Sequence, residues 1–351
     1  MKRDKFYNGN VQTERAAIVL RLAPSWFRIG SLEILATNNE IDNLRLMVDF
    51  IILNYFPYIN ASDSNRVLAL YQEVVEKTAH MIALWQSVGF THGVCNTDNF
   101  SILGLTIDYG PFGFMDDYDP TFVPNTSDDE GLYRFERQPD VGWFNLNKLR
   151  TALLPLLSSE QQKTVDQILD GYVGIYKSRY MNFLMKKLGF TNKQSHTSKD
   201  EQLVAVLFKI MQDTRADFTM TFRELSEIKF DDLKELLNNV STFPKFWTLP
   251  VLANHDWFPE WVERYEEMLA EAKISDETRQ NVMLSSNPRY VLRNWIAQFV
   301  IERVVKDSFD EIQTVLSILE NPFTLNDEAE RLGFARSPPA WSRKLKVSCS
   351  S

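Results

Sequence analysis

Apolar positions along the chain recur mainly at helical spacing. Between Asn38 and Tyr58, Ile41, Leu44, Met47, Val48, Ile51 and Ile52 fall on one stripe and predict a helix. A longer helix is predicted from Ser64 to Gln86, with Val67, Leu68, Tyr71, Val74, Val75, Met81, Ile82 and Trp85 on its buried face and Gly89 past its end. Beyond Leu146 the same period runs through 148–157, 160–188, 201–213, 230–239, 259–274, 290–306 and 309–320. Trp257, Trp261 and Trp295 are assigned to the core of this helical body. Short β-branched and aliphatic runs break the rule. Ala16–Leu22 and Ser31–Leu35 read as strands, and Ser101–Leu103 with Leu105–Ile107 read as a hairpin around Gly104. From Asp116 to Asn145 the period is lost among Pro120, Pro124 and Pro139, which predicts loop, and Thr191–Asp200 reads as a linker. The expected fold class is α+β, mostly helical.

Composition narrows the function classes. The 351 residues are 44% hydrophobic and 24% charged, which suits a folded chain with a large core and excludes wholesale disorder. A net charge of -9 argues against nucleic acid or an anionic membrane surface as partner. Cys95 and Cys349 are the two cysteines, too few for a disulfide framework or a cysteine-built zinc site. The best apolar run, Leu46–Ile59, is interrupted by Asp49 and Asn54 and falls short of the roughly 20 residues a membrane span needs. The opening MKRDKFYNGN carries charge without the apolar centre of a signal peptide.

The chemistry concentrates in the hairpin segment. Protein kinases place a His-x-Asp-x-x-x-x-Asn run before an Asp-Phe-Gly. Here His92 and Asn99 keep the spacing of seven, and Asp108-Tyr109-Gly110 takes the later place. An amide and a carboxylate across a hairpin suit a hard cation that bridges nucleotide phosphates. The usual kinase Asp would fall at Val94, which cannot accept a proton, and a carboxylate appears instead at Asp98.

The run from His92 to Asp116 strongly resembles the signature of the selenoprotein O family and its bacterial members. Further stretches agree: Phe6–Asn10, Val19–Pro24, Phe27–Ser31, Gln138-Pro139, Asp217–Thr219, Thr221–Arg223, Asn287-Pro288, Tyr290–Asn294 and Pro338–Trp341. The resemblance implies a kinase-like pseudokinase fold and protein AMPylation, in which AMP passes from ATP to Ser, Thr or Tyr hydroxyls, with the nucleotide flipped relative to kinases. It implies Asp98 as proton acceptor, Asn99 and Asp108 as Mg²⁺ ligands (Mn²⁺ as an alternative), Asp108 also lying against the nucleotide, and Arg21 and Arg28 as phosphate holders. Guanidinium forks suit phosphate oxygens on chemical grounds too.

The same resemblance divides the chain into a remnant of an N-lobe (1–37), a C-lobe core (38–190) with the metal hairpin at 90–116, a helical extension (191–345) and a redox tail (346–351). It implies a phosphate-gripping loop, lysine and glutamate upstream of Phe6, so this chain is expected to be weakly active or inactive. The ending Cys349-Ser350-Ser351 is expected to stop just before a selenocysteine, and mitochondrial location is implied by the animal members. Protein substrates and ATP are the expected partners, with no nucleic acid and no membrane. A γ-phosphate-transferring kinase-like enzyme and a catalytically dead scaffold are the alternatives.

Overall fold

A computed structural model describes residues 2–7, 10–15, 18–191, 195–304, 309–345 and 347. The chain opens with an antiparallel pair, β1 (Lys2–Tyr7) and β2 (Asn10–Arg15), in register Lys2 to Arg15 and Tyr7 to Asn10. The Asn8-Gly9 dipeptide between them is a strong hairpin signal in sequence, although those two residues lie outside the described ones. The strand expected at 16–22 does not form over its described part. Residues 18–22 have no regular structure, and Ile18, Val19, Leu20 and Leu22 stand largely exposed. A β-prone run needs a partner strand and a surface to pack on, and none of the described strands pairs with it.

The strand expected at 31–35 is a helix, α1 (Ile29–Thr37), whose buried residues Ile29 and Leu32 are three apart. Five apolar-rich residues fit either period, and here the helical one wins. α2 (Ile41–Tyr55) and α3 (Arg66–Ser87) follow as their stripes predict. Two short strands, β3 (Phe90–Thr91) and β4 (Gly113–Phe114), pair antiparallel and bracket the functional segment. The hairpin expected at 101–107 shrinks to one bridge, Phe100 to Thr106.

The predicted loop ends early, because α4 (Gln138–Leu153) starts at a proline. Pro139 sits in its first turn, where the missing N–H costs nothing. The helix expected over 160–188 is two, α5 (Ser159–Asp170) and α6 (Tyr172–Lys187), divided at Gly171. α3 packs on α6 and α1 on α4, and these helices with the hairpin segment share one core around Ile52, Tyr71, Ile82, Phe100 and Leu146.

A second core joins α6 to α7 (Ser198–Thr214), α8 (Phe218–Glu227), α9 (Phe230–Asn238), α10 (Leu249–Ala253), α11 (Phe258–Glu271) and α12 (Asp276–Ser286). Of the linker expected at 191–200, residues 192–194 lie outside the described ones and 198–200 open α7 behind a Thr197–Asp200 capping box. A third, smaller core links Met220 and Tyr290 to α13 (Asn294–Val304), α14 (Asp310–Glu320) and α15 (Asp327–Leu332). Trp261 and Trp295 are buried as expected, whereas Trp257 is half exposed at the start of α11. The observed class is α+β, dominated by helix. Among the described residues no helix is long and apolar enough to cross a membrane. Cys349 lies outside the described residues; Val347 makes a single bridge to Asn125.

Candidate active site

The site is built where the segment after β3 meets the start of α1. Residues 27–29 run antiparallel beside 100–102, through an Arg28–Ser101 bridge, Ile29 N–H to the Phe100 carbonyl at 2.9 Å and Ile102 N–H to the Phe27 carbonyl at 3.1 Å. On its other side Phe100 pairs with Thr106. Asp98 and Asn99 end the 3₁₀ turn just before this bridge and Asp108 follows just after it, so the three flank the same hairpin. Trp85 fixes the far strand by donating from Nε1 to Thr106 Oγ1 at 2.8 Å.

His92 ties the hairpin together and does not face solvent. It is fully buried, takes the Val94 N–H at Nδ1 (3.4 Å) and donates from Nε2 to the Ile107 carbonyl (2.8 Å), which sets the Nε2–H tautomer. Burial pushes its pKa down, only partly opposed by the Ile107 carbonyl and by Asp108. It therefore stays neutral and aims the chain into Asp108. Gln138 at the start of α4 completes the frame, accepting from His92 N–H at 2.9 Å and donating to the Phe90 carbonyl at 2.9 Å. Asn145, one helix face further on, donates to the Cys95 carbonyl at 2.8 Å. Gly93 is held at φ +84°, and a Cβ there would come to 2.5 Å from the Pro111 carbonyl oxygen.

Asn96 accepts from Asp98 N–H at 3.1 Å and so caps the 3₁₀ turn Thr97–Asn99. Asp98 is exposed, and its Oδ1 lies over the Gly30 Cα, where any Cβ would overlap it. Asn99 is buried, and its Nδ2 donates inward to the Val94 carbonyl at 2.8 Å. Its Oδ1 has no hydrogen-bond partner among the described residues and is the atom left to ligate. Asp108 adopts φ +58°, an αL conformation costing a non-glycine residue about 1–2 kcal/mol, which Asp tolerates better than most. Its Oδ1 meets Arg21 Nη1 at 3.1 Å with both side chains well exposed. Arg28 lies over Trp26 at 5.7 Å, and its buried Nε has no partner among the described residues.

All five sequence-predicted residues therefore lie on segments that meet at this end of the hairpin. Among the described residues no group of three or more His, Cys, Asp or Glu could hold a metal ion. An Asn oxygen with one carboxylate suits Mg²⁺, which takes few protein ligands and completes its shell with water and phosphate. Sequence reasoning missed Gly30, Asn145 and Arg293. Asn145 offers no pattern in one sequence, and Gly30 lies in the Phe27–Ser31 stretch noted for its resemblance without a role of its own. Arg293 lies in the Tyr290–Asn294 stretch noted for its resemblance but was given no role.

Arg293 is fully buried and bridges Asp217 at 2.5 and 2.9 Å and Asp116 at 2.6 Å. It clamps the chain leaving the site hairpin onto the start of α8, where Asp117 and Asp217 form an isolated antiparallel bridge. Burial works against its charge, yet the two carboxylates hold its pKa above the ordinary guanidinium value. Burial raises the Asp116 pKa despite Arg293.

Asp98, Asn99 and Asp108 thus lie on segments that also carry Arg21 and Arg28. In comparison with known proteins, residues 3–321 match the family described as protein adenylyltransferase SelO. The chain belongs to that family. It is 39% identical over 338 residues to the protein nucleotidyltransferase YdiU of Myxococcus xanthus, covering 96% of this chain and 66% of that one. It is 37% identical over 354 residues to the YdiU of Flavobacterium johnsoniae, covering 99% and 66%. The chain thus spans about two thirds of the length of these curated relatives.

Proposed function

We propose that this chain carries the site of a protein adenylyltransferase with a kinase-like arrangement of hairpin and helices. A Ser, Thr or Tyr hydroxyl of another protein attacks the α-phosphorus of ATP. An oxygen–phosphorus bond forms, the bond to the bridging oxygen breaks, pyrophosphate leaves, and the hydroxyl proton passes to Asp98. The observation that carries this reading is the hairpin end itself. Asp98 and Asn99 enter this hairpin and Asp108 leaves it, while the position that serves kinases as base holds Val94.

Asp98 is suited to the proton transfer because it is exposed and held by its own backbone cap. Arg21 and Arg28 would hold phosphate oxygens; Arg28 has an unspent buried Nε, and Arg21 can exchange Asp108 for a phosphate. Asn99 Oδ1 and Asp108 would hold Mg²⁺, which when bound neutralises phosphate charge. Fixing these contacts on one hairpin supplies orientation, the part of catalysis most sensitive to small displacements.

The test is label transfer. ATP labelled at the α-phosphate should mark an acceptor protein, ATP labelled at the γ-phosphate should not, and Asp98→Ala should abolish the mark. Label arriving only from the γ position would establish a kinase-type reaction and overturn the proposal.

A further inference from the structure

Behind Asp98 lies a cavity of about 530 Å³ between α1, residues 95–97 and the first three turns of α4. Neither Asp98 nor the phosphate-holding residues line it. Its walls are largely apolar: Cys95, Leu132, Tyr133, Val141 and Phe144. Leu132 and Phe144 reach its mouth with 46% and 50% of their surface open to solvent. At its floor Asn145 spends its amide N–H on the Cys95 carbonyl. Charges at the rim cancel. Glu33 and Lys148 face each other at 3.6 Å, Lys148 also lies over the Phe144 ring at 5.5 Å, and Arg137 and Asp140 sit one turn apart at the start of α4.

Such a rim selects neither an acidic nor a basic partner, and the walls favour burying apolar surface. The cavity also adjoins the reacting position. Asn96 and Thr97 line it and directly precede Asp98, so its wall lies within about 4–8 Å of the Asp98 backbone, the span of one or two extended residues.

We propose that this cavity is an acceptor subsite: it receives a bulky apolar side chain one to three residues from the hydroxyl that is modified. The proposal rests on the adenylylation reading for its site, since it takes Asp98 as the group facing that hydroxyl. It adds a substrate class to that reading: acceptor segments with Leu, Phe or a comparable residue beside the Ser, Thr or Tyr.

The experiment reads binding without catalysis. Fluorescent nine-residue peptides with a central Ser, and Phe or Asp at each flanking position in turn, are titrated against the chain, against Leu132→Asp and against Phe144→Ser. Both substituted side chains are at the surface, and unchanged unfolding midpoints would certify the fold. The Phe peptides should bind at least about tenfold more tightly than the Asp peptides at one or two flanking positions, the scale set by burying one such side chain. Each variant should erase that preference and leave Mg·ATP affinity unchanged. Equal binding of both peptides, or a preference that survives both variants, would overturn the subsite. Variants that weaken Mg·ATP and spare the peptides would assign the cavity to the nucleotide base and overturn it too. A chain that shows the preference but transfers label only from the γ position keeps the subsite and loses the adenylylation reading, so the two failures are distinguishable.

Discussion

Arg293 and Arg21 each meet an aspartate, and their surroundings assign them opposite work. Arg293 is buried with Asp217, which is itself fully buried, and with Asp116, all within 2.5–2.9 Å. Arg21 meets Asp108 at 3.1 Å, with 55% and 38% of the two side chains exposed. In the first place the Arg293–Asp217 pair is closed to water, so the pair fixes structure. In the second, water and phosphate oxygens can compete on nearly equal terms, so the pair can open. The molecule thus anchors the exit of its hairpin with one arginine and leaves the other able to exchange its partner.

Removing the buried member is expected to have the largest effect. Arg293→Met leaves two carboxylates without their counter-charge and should cost about 3–5 kcal/mol in chemical denaturation. A loss under about 1 kcal/mol would mean that the clamp is not structural.

Lys187 sharpens the comparison, because it is a buried cation with no carboxylate partner among the described residues. Its ammonium lies over the Phe222 ring at 4.4 Å, and burial lowers its pKa to about 7. Unfolded, the amine would titrate near its ordinary value of 10.5. Between these values the unfolded chain holds the proton and the folded one does not, so stability should rise with pH from about 7 to about 10.5. Below pH 7 both states are protonated and this slope vanishes. Lys187→Met should remove the slope when urea midpoints are compared across that range, and an unchanged slope would place its cause elsewhere.

The smallest change in stability is expected at the surface. Arg21→Ala should alter stability by less than about 1 kcal/mol. The same substitution should weaken Mg·ATP binding about tenfold, the scale of one lost charge-assisted contact. A variant that binds nucleotide as well as the parent would leave Arg21 no role at the site.

The helical body and the site differ in how far the sequence disclosed them. The stripes of α2 and α3 were legible because each side chain of the period reaches the same core. The run at 31–35 was misread because five residues cannot separate periods of 2 and 3.6. The run at 18–22 was misread because strand formation depends on a neighbour that sequence pattern does not specify. The short helices α8 and α12 were overlooked; α8 carries Phe218, Phe222 and Leu225 at helical spacing, but ten residues give the period too little length to stand out. At the site, His92, Asp98, Asn99 and Asp108 were visible through their spacing within one segment. Gly30 and Asn145 were not, since they act across the fold on a carboxylate and a backbone carbonyl.

The central claim is that Asn99 and Asp108 jointly receive the cation and phosphates at the open end of the hairpin. Calorimetric titration of Mg·ATP into the chain, into Asn99→Leu and into Asp108→Asn tests it directly. The account predicts measurable binding by the parent chain and binding weakened about a hundredfold in each variant, as expected when a buried or charged ligand contact of about 3 kcal/mol is lost, with the unfolding midpoint unchanged in Asp108→Asn. Equal affinity in all three proteins would contradict it.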